Sequence, residues 1–155
     1  MSEKISKTEV IKFLRTVNIM SLAACHGDKP LSTVLLYAVD DNFSFYFATR
    51  SETYKAKALA INPKVSLSIW EHKKMLIQVD GQANQITNFE RVNEVIEMLA
   101  DSTARIGDFW PPVIQQKQKG EYVVFKIKPV WLRALDLSNS SIRGDRDNFT
   151  EFDLN

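Results

Sequence analysis

A group of basic and hydroxyl side chains forms the part of the sequence best suited to binding an anion. Arg50, Ser51 and Lys55 lie where an apolar strand pattern ends and an Ala- and Lys-rich helical pattern begins. The amino terminus of a helix offers free N–H groups and about half a unit of positive charge. Lys55 shares a helical face with Ser51, whereas Lys57 points away. The pattern predicts a phosphate-sized anion at Lys55 and Ser51; a Ser51 helix cap with solvated basic side chains is the alternative.

Other side chains with reactive chemistry are few. Cys25 and His26 are adjacent, but neighbours in a strand point to opposite faces, so a thiol–imidazole pair is not expected there. His72 lies in a polar turn pattern. Two isolated histidines and one cysteine have no metal-ligand spacing, and no Ser-His-Asp order or glycine-rich phosphate loop is present. We therefore predict no metal site and assign no catalytic residue.

The sequence predicts different roles for its three tryptophans. Trp110 follows Phe109 and precedes two prolines in an irregular stretch. Two interpretations remain open: the loop covers a ligand across a dimer, or its rings pin it to its own core. Trp70 and Trp131 are expected in core or barrel-rim packing.

Length and composition limit the class of protein. The chain has 155 residues, 45% of them hydrophobic and 25% charged, with a net charge of +1. This predicts a single globular domain over residues 1–155, with a polar tail from about residue 138 that frays or folds only against a partner. A balanced charge disfavours nucleic acid and anionic membranes as partners. One cysteine, no signal-peptide pattern and no apolar run of membrane length predict a cytoplasmic protein.

Periodicity predicts the elements that position these residues. Ser-x-x-Glu and Thr-x-x-Glu capping boxes at Ser6 and Thr87 predict helices, the second with Phe89, Val92 and Ile96 on its apolar face. A third helix is expected over residues 51–62. Strands are predicted at residues 18–25, 31–39, 43–48, 65–70 and 75–85, with a final strand pair within 121–137. Gly81 is expected at a bulge or bend.

These elements predict a mainly β fold. About six antiparallel strands and two or three helices on so short a chain favour a closed or partly closed β-barrel with helical caps. The first three strands are expected to form a meander. Phe43, Phe45 and Phe47 alternate with other residues, which places three rings on one face. A barrel of this size is filled by side chains, so a sizeable ligand is expected outside it or at a subunit boundary.

Several motifs, taken in order, resemble a known family. They are Ser32 to Tyr37, then Phe47-Ala48-Thr49, then Lys55-x-x-x-Leu59-x-x-Asn62-Pro63-x-Val65-Ser66-Leu67. Over roughly residues 8–135 the chain is similar to the pyridoxamine 5′-phosphate oxidase-like group of FMN-binding split barrels. The resemblance implies a homodimeric split β-barrel that holds FMN across the subunit interface and acts as an oxidoreductase, transferring hydride or electrons.

The resemblance also implies roles for particular residues. Lys55, with Arg50 and Ser51 nearby, would contact the FMN phosphate, and Ala48 and Thr49 would lie beside it, Thr49 at the phosphate or ribityl chain. The backbone of one strand would lie along the isoalloxazine ring. The residues of that strand are Ser32, Thr33, Val34 and Leu35.

Departures from the family pattern narrow the expected activity. Ser32 and Tyr54 stand where pyridoxamine phosphate oxidases proper have arginines, and Leu76 stands where they present a glutamine to the flavin. Their closing segment of Trp, Arg and Pro residues is absent. Oxidation of vitamin B6 is therefore not expected, and the substrate and electron donor are unassigned. The alternatives are a non-enzymatic module of this fold that holds haem, another flavin or a small metabolite, and a structural dimer with an empty cleft.

Overall fold

A computed structural model describes residues 4–103, 122–138 and 149–154 of the chain. It contains three helices, α1 (Lys7–Val17), α2 (Tyr54–Ile61) and α3 (Phe89–Thr103). The strands are β1 (Ile19–His26), β2 (Lys29–Leu36), β3 (Ala38–Val39), β4 (Phe45–Arg50), β5 (Lys64–Glu71), β6 (Met75–Ile86), β7 (Tyr122–Asp136) and β8 (Thr150–Glu151). The mainly β class is confirmed.

One antiparallel sheet contains all eight strands. Its order is β2-β1-β5-β6-β7-β4-β3, and β8 pairs with β7. Only Tyr37 separates β2 from β3 in the chain, yet the two strands lie at opposite ends of the sheet. The sheet therefore curls until its two ends approach each other, as expected for a partly closed barrel. The strand predicted over residues 31–39 is divided at Tyr37, but its two parts pair as the predicted meander requires, β2 with β1 and β3 with β4.

Aromatic side chains fill the inside of the curled sheet. Phe43, Phe45 and Phe47 are fully buried there, as the alternating pattern predicted. Phe47 stacks on Phe125 of the neighbouring β7, with ring centroids 5.2 Å apart. The opposite face of β4 is covered as well, because Tyr46 packs in a second cluster beneath α3. The interior is thus occupied by the chain itself.

Helix α1 begins at the predicted cap, whereas α3 does not. The Ser6 hydroxyl accepts a hydrogen bond from the Glu9 amide at 3.1 Å. In α3 the capping side chain is Asn88, which accepts from the Arg91 amide at 3.0 Å, so the predicted cap at Thr87 is wrong by one residue. Phe89 is the first residue of α3 and is 77% exposed instead of lining the apolar face, which Val95, Ile96 and Leu99 form deeper in the helix.

Strand β7 is one continuous strand, not the predicted pair. It runs for 15 residues through Pro129, and it pairs with β4 over residues 122–127 and with β6 over residues 124–136. The register against β6 shifts between Asp80 and Gly81, which confirms the bulge predicted there. A Cβ at Gly81 would lie 2.7 Å from the Lys128 carbonyl oxygen, so a side chain at this position would push the strands apart.

The carboxyl-terminal residues 149–154 pack against the body of the protein. The Phe152 amide donates to the Leu132 carbonyl at 3.1 Å, and the Phe152 ring meets Phe43 edge-on. The Ile5 amide donates to the Thr150 hydroxyl at 3.5 Å. The expectation that the tail frays or folds only against a partner is wrong for this segment, because its apolar side chains cover one end of the core.

A partly buried polar network joins α3 to β4. The Tyr46 hydroxyl donates to Asp40 Oδ2 at 2.9 Å and accepts from Arg91 Nη2 at 2.8 Å. The second Arg91 nitrogen pairs with Glu94 at 2.7 Å. Burial is the main cause of the raised pKa of Tyr46, and the Asp40 carboxylate raises it further. The tyrosine therefore stays neutral and connects two oppositely charged side chains.

Tyr46→Phe should lower the free energy of unfolding by about 1–2 kcal/mol, since both charged partners lose a hydrogen bond but Arg91 keeps Glu94 and partial solvent contact. Urea unfolding followed by circular dichroism measures the change. Tyr54→Phe is the matched control, because the Tyr54 hydroxyl makes no hydrogen bond within the described residues. Equal losses in the two variants would contradict a stabilising role for the network.

None of the described helices is long and apolar enough to cross a membrane.

Candidate functional site

The amino terminus of α2 is built around Thr53 rather than Ser51. The Thr53 hydroxyl accepts from the Ala56 amide at 3.3 Å and donates to the Arg50 carbonyl at 2.8 Å. The alternative interpretation of Ser51 as the cap is therefore wrong: Ser51 lies in the preceding turn and is exposed. Within the described chain, the amides of Tyr54 and Lys55 donate to no acceptor. Two N–H groups at the helix start remain available to an anion.

Lys55 supplies a positive charge next to these amides. It is half-buried, and burial lowers the pKa of its ammonium group. Among the residues that the structure describes, it forms no ion pair. A partly desolvated ammonium without a counter-ion is stabilised by an anion that approaches it. Lys55 therefore has the surroundings of an anion-binding residue.

Arg50 already has partners. Its Nε lies 2.8 Å from Glu52 Oε1, and its guanidinium carbon lies 6.0 Å from the centre of the Tyr122 ring. Both members of the ion pair are about half exposed, so the pair contributes little and can rearrange. Glu52 also reduces the net positive charge of the turn. The prediction from the sequence considered only the basic residues and left this carboxylate out.

The residues at the end of β4 point in different directions. Thr49 is only 5% exposed, and its hydroxyl lies 3.3 Å from that of Thr53. The Thr49 hydroxyl thus lies within hydrogen-bonding distance of the hydroxyl that caps α2. Ala48 is half-buried against the cluster beneath α3. Neither side chain lies open on the surface beside Lys55, and their predicted contacts with a cofactor remain predictions.

The strand expected to lie along a flavin ring is an edge strand. Within the described residues β2 pairs only with β1, so half of its backbone N–H and C=O groups have no partner strand. The Leu35 side chain is buried in the core, Thr33 is half-buried, and Ser32 and Val34 are exposed on the outer face, Val34 to 49%. β2 therefore offers free backbone groups with a small apolar surface.

The structure brings the β1–β2 hairpin against the start of α2, which the sequence did not predict. The His26 ring stacks on Tyr54 with centroids 5.1 Å apart, and the Lys29 ammonium lies 5.9 Å from the centre of the same ring. This contact joins the two halves of the candidate site, β2 and α2. It depends on tertiary packing between residues nearly thirty positions apart, so no local pattern signals it. His26 and Lys29 were not predicted to lie near the anion site.

The remaining predicted residues are less informative. Trp110 lies outside the described residues. Trp70, expected in core or rim packing, is 58% exposed on the outer face of β5, where its ring lies near His72. Leu76, on the neighbouring β6, is the register partner of Trp70. No group of three or more metal-ligating side chains exists among the described residues.

Comparisons with known proteins bear on the family and the fold of the chain. The model of the family described as pyridoxamine 5′-phosphate oxidase matches residues 6–136. No curated protein matches the chain. Several solved structures share the fold at low sequence identity.

Three of these solved structures show how different the proteins that share this fold are. General Stress Protein 26 from Bacillus anthracis is 21% identical, with a TM-score of 0.64 over 83% of this chain and 92% of that one. An FAD-binding protein from Mesorhizobium loti is 19% identical, with a TM-score of 0.64 over 85% and 93%. A heme binding protein from Mycobacterium smegmatis is 12% identical, with a TM-score of 0.70 over 99% and 60%.

At these identities the structural neighbours establish the split-barrel fold alone. The family match establishes more than the fold, because it extends from the cap of α1 to the end of β7. It includes both β2 and the start of α2. The chain therefore belongs to the pyridoxamine 5′-phosphate oxidase family.

Proposed function

We propose that the protein is a cytoplasmic, homodimeric flavoprotein that binds FMN and acts as an oxidoreductase. The observation that carries the proposal is the half-buried Lys55, which has no ion pair within the described residues and belongs to the first turn of α2, where two backbone amides are free. FMN has a phosphate group that needs such a site. Bound flavin would supply the hydride or electron transfer, and the protein would supply binding and orientation.

The residues at the start of α2 fit a phosphate. A phosphate monoester carries a charge of about −1.5 to −2 at neutral pH and several strong acceptor oxygens. Lys55 would neutralise part of that charge, and the Tyr54 and Lys55 amides would donate hydrogen bonds. Arg50 would add a second charge if it exchanged Glu52 for the phosphate, with Ser51 and Thr49 nearby. The proposed phosphate site has fewer basic side chains than the site of enzymes that have an arginine at the position of Tyr54.

Strand β2 fits the ring of a flavin. A flavin has an apolar ring face and a pyrimidine edge with hydrogen-bond donors and acceptors. The free edge of β2, from Ser32 to Leu35, offers matching backbone groups, and the exposed Val34 offers apolar contact. The contact of His26 with Tyr54 joins the β1–β2 hairpin to the start of α2, where the phosphate would bind.

A second copy of the chain is part of the proposal. Side chains fill the barrel, so a cofactor must lie on its outside. On that outside, Val34 and Trp70 are exposed apolar residues on the same sheet face, 49% and 58% exposed. Covering them with a partner would remove water from one side of the flavin. We place Trp110 of the partner, or of the same chain, among the residues that cover it.

The absorption spectrum of purified protein tests the cofactor. Flavin bands, with FMN rather than FAD released on denaturation and identified by chromatography, are the expected result. A Soret band would assign the fold to haem binding instead, with the exposed His26 and His72 as candidate ligands. Colourless protein that also ignores added FMN would exclude the proposal. Because the family positions of two arginines and one glutamine hold Ser32, Tyr54 and Leu76, we expect no oxidation of pyridoxamine phosphate.

A further inference from the structure

The β1–β2 hairpin places a basic side chain beside the first residue of α2. The chain turns through Gly27 and Asp28, and Gly27 has a φ of 65°, in the left-handed region that tight two-residue turns use. The turn sets His26 directly opposite Lys29, so both side chains project from the same face of the sheet. Both meet the Tyr54 ring, His26 at 5.1 Å between ring centres and the Lys29 ammonium at 5.9 Å. A tight turn therefore fixes where Lys29 enters the candidate site.

The charge of Lys29 is not neutralised by a carboxylate. Lys29 is exposed and forms no ion pair within residues 4–103, 122–138 and 149–154. Glu52, in the turn before α2, pairs with Arg50 instead. An exposed ammonium over an aromatic ring is held only weakly. A phosphate forms a charge-assisted hydrogen bond, which is stronger, so Lys29 can move from the ring to such a ligand.

Tyr54 connects this ammonium with the start of α2. Tyr54 is the first residue of the helix, and within the described chain the amides of Tyr54 and Lys55 donate to no acceptor. The Tyr54 side chain is uncharged and 47% exposed, so it gives no charge to an anion. Its stack on His26, with 29° between the ring planes, orients the ring toward the hairpin. The cation nearest this ring therefore comes from the hairpin and not from the helix.

We propose that Lys29 is a second cationic ligand of the FMN phosphate and makes the site selective for phosphorylated flavin. This inference rests on the proposed function, because it adds a residue to the phosphate site at Lys55. A phosphate monoester carries a charge of about −1.5 to −2, which two ammonium groups neutralise better than one.

The position of Lys29 on β2 fits this role. Lys29 begins β2, and the flavin ring would lie along Ser32 to Leu35 of the same strand. Three residues of extended strand separate Lys29 from Ser32, a distance of about 10 Å. One strand would therefore contact the ring of the cofactor through its backbone and the phosphate through its first side chain.

Fluorescence titrations with FMN and with riboflavin, which lacks the phosphate, test the role of Lys29. Lys29→Met keeps the length of the side chain and removes its charge. It should weaken FMN binding about fivefold or more and riboflavin binding by less than about twofold. Lys12→Met is the matched control, because Lys12 is an exposed lysine of α1 and its loss removes the same charge far from β2 in the sequence. This variant should bind both flavins like wild type.

Tyr54→Arg tests the same site from the helix. Arginine at the first position of α2 supplies a charge there directly, so the contribution of Lys29 becomes smaller. The double variant with Lys29→Met should therefore bind FMN more tightly than Lys29→Met alone. In the Tyr54→Arg background, the loss caused by Lys29→Met should fall below about twofold, as expected for two residues that share one ligand group.

The same titrations distinguish failure of this inference from failure of the proposed function. If wild type binds FMN, the role of Lys29 is overturned by unchanged FMN binding in Lys29→Met, by an equal loss for riboflavin, or by an equal loss in Lys12→Met. A loss that Tyr54→Arg does not reduce would overturn it as well. Wild-type protein that does not bind FMN would overturn both the inference and the proposed function.

Discussion

Lys55→Ala should weaken FMN binding by about 1.5–3 kcal/mol, or roughly ten- to 150-fold in Kd. The proposed phosphate site has one lysine with no ion pair within the described residues, and alanine removes its charge without a change in helix propensity that could unfold α2. The two free amides of α2 remain, so weak binding should persist. Fluorescence titration of FMN with each purified variant measures the effect.

Lys57→Ala is the matched control for this experiment. Lys57 lies in the same helix but is exposed, so its removal should change the FMN affinity by less than about twofold, a weak screened interaction. If the two variants bind equally well, or if only Lys57→Ala weakens binding, the phosphate does not bind at Lys55.

The pH dependence of FMN binding offers an independent check on the same lysine. Burial lowers the pKa of Lys55, so the free protein loses this charge at a lower pH than an exposed lysine does. A bound phosphate favours the charged form and raises the pKa again. The affinity of wild type for FMN should therefore fall as the pH rises through the lowered pKa of Lys55. In Lys55→Ala this part of the decline should disappear.

Phe47→Ala should lower the free energy of unfolding by about 3–5 kcal/mol, the usual loss for a buried phenylalanine. The Phe47 side chain is fully buried at the centre of the curled sheet and stacks on Phe125. Alanine would leave a cavity between β4 and β7 that the paired strands cannot close. Urea unfolding gives the value, and Phe47→Leu serves as a milder variant if the alanine protein does not fold.

Phe89→Ala is the control for burial. The same substitution at a side chain that is 77% exposed should change stability by no more than about 0.5 kcal/mol. A large loss at Phe89 would mean that its ring is covered in solution, for example by a second copy. A loss below about 1 kcal/mol at Phe47 would contradict the position of β4 in the core.

The elements of the fold were largely predictable because their signals are local. Alternation of Phe43, Phe45 and Phe47 depends only on the two-residue period of a strand, and the Ser6 cap depends on four consecutive residues. Gly81 was predictable as a bulge, since a strand interior rarely keeps a glycine without such a reason. The positions of the caps were harder to predict, because nearby residues can each cap a helix. The structure has Thr53 and Asn88 as caps instead of Ser51 and Thr87.

Strand order and the outer face could not be predicted in this way. The pairing of successive strands was predicted, but the division of the strand over residues 31–39 was not, and this division puts β2 and β3 at opposite ends of the sheet. The residues that share the outer face of β2, β1, β5, β6 and β7 are set by the registers of four strand pairs. No local pattern in the sequence contains those registers.

The candidate site was predictable in part. Lys55 emerged from helix geometry and from the resemblance to a family, and the structure leaves it half-buried. The ion pair of Arg50 with Glu52 is local in sequence, but its formation depends on side-chain rotamers in a turn. The stack of His26 on Tyr54 is a tertiary contact and could not be foreseen.

Titration of FMN into cofactor-free protein, followed by the change in flavin fluorescence, tests the central claim most directly. We predict saturable binding of one FMN per chain with a Kd of about 1 μM or lower, which corresponds to about −8 kcal/mol or better. The complex should have the mass of a dimer. Flavin fluorescence that does not change at any protein concentration would contradict the proposed function.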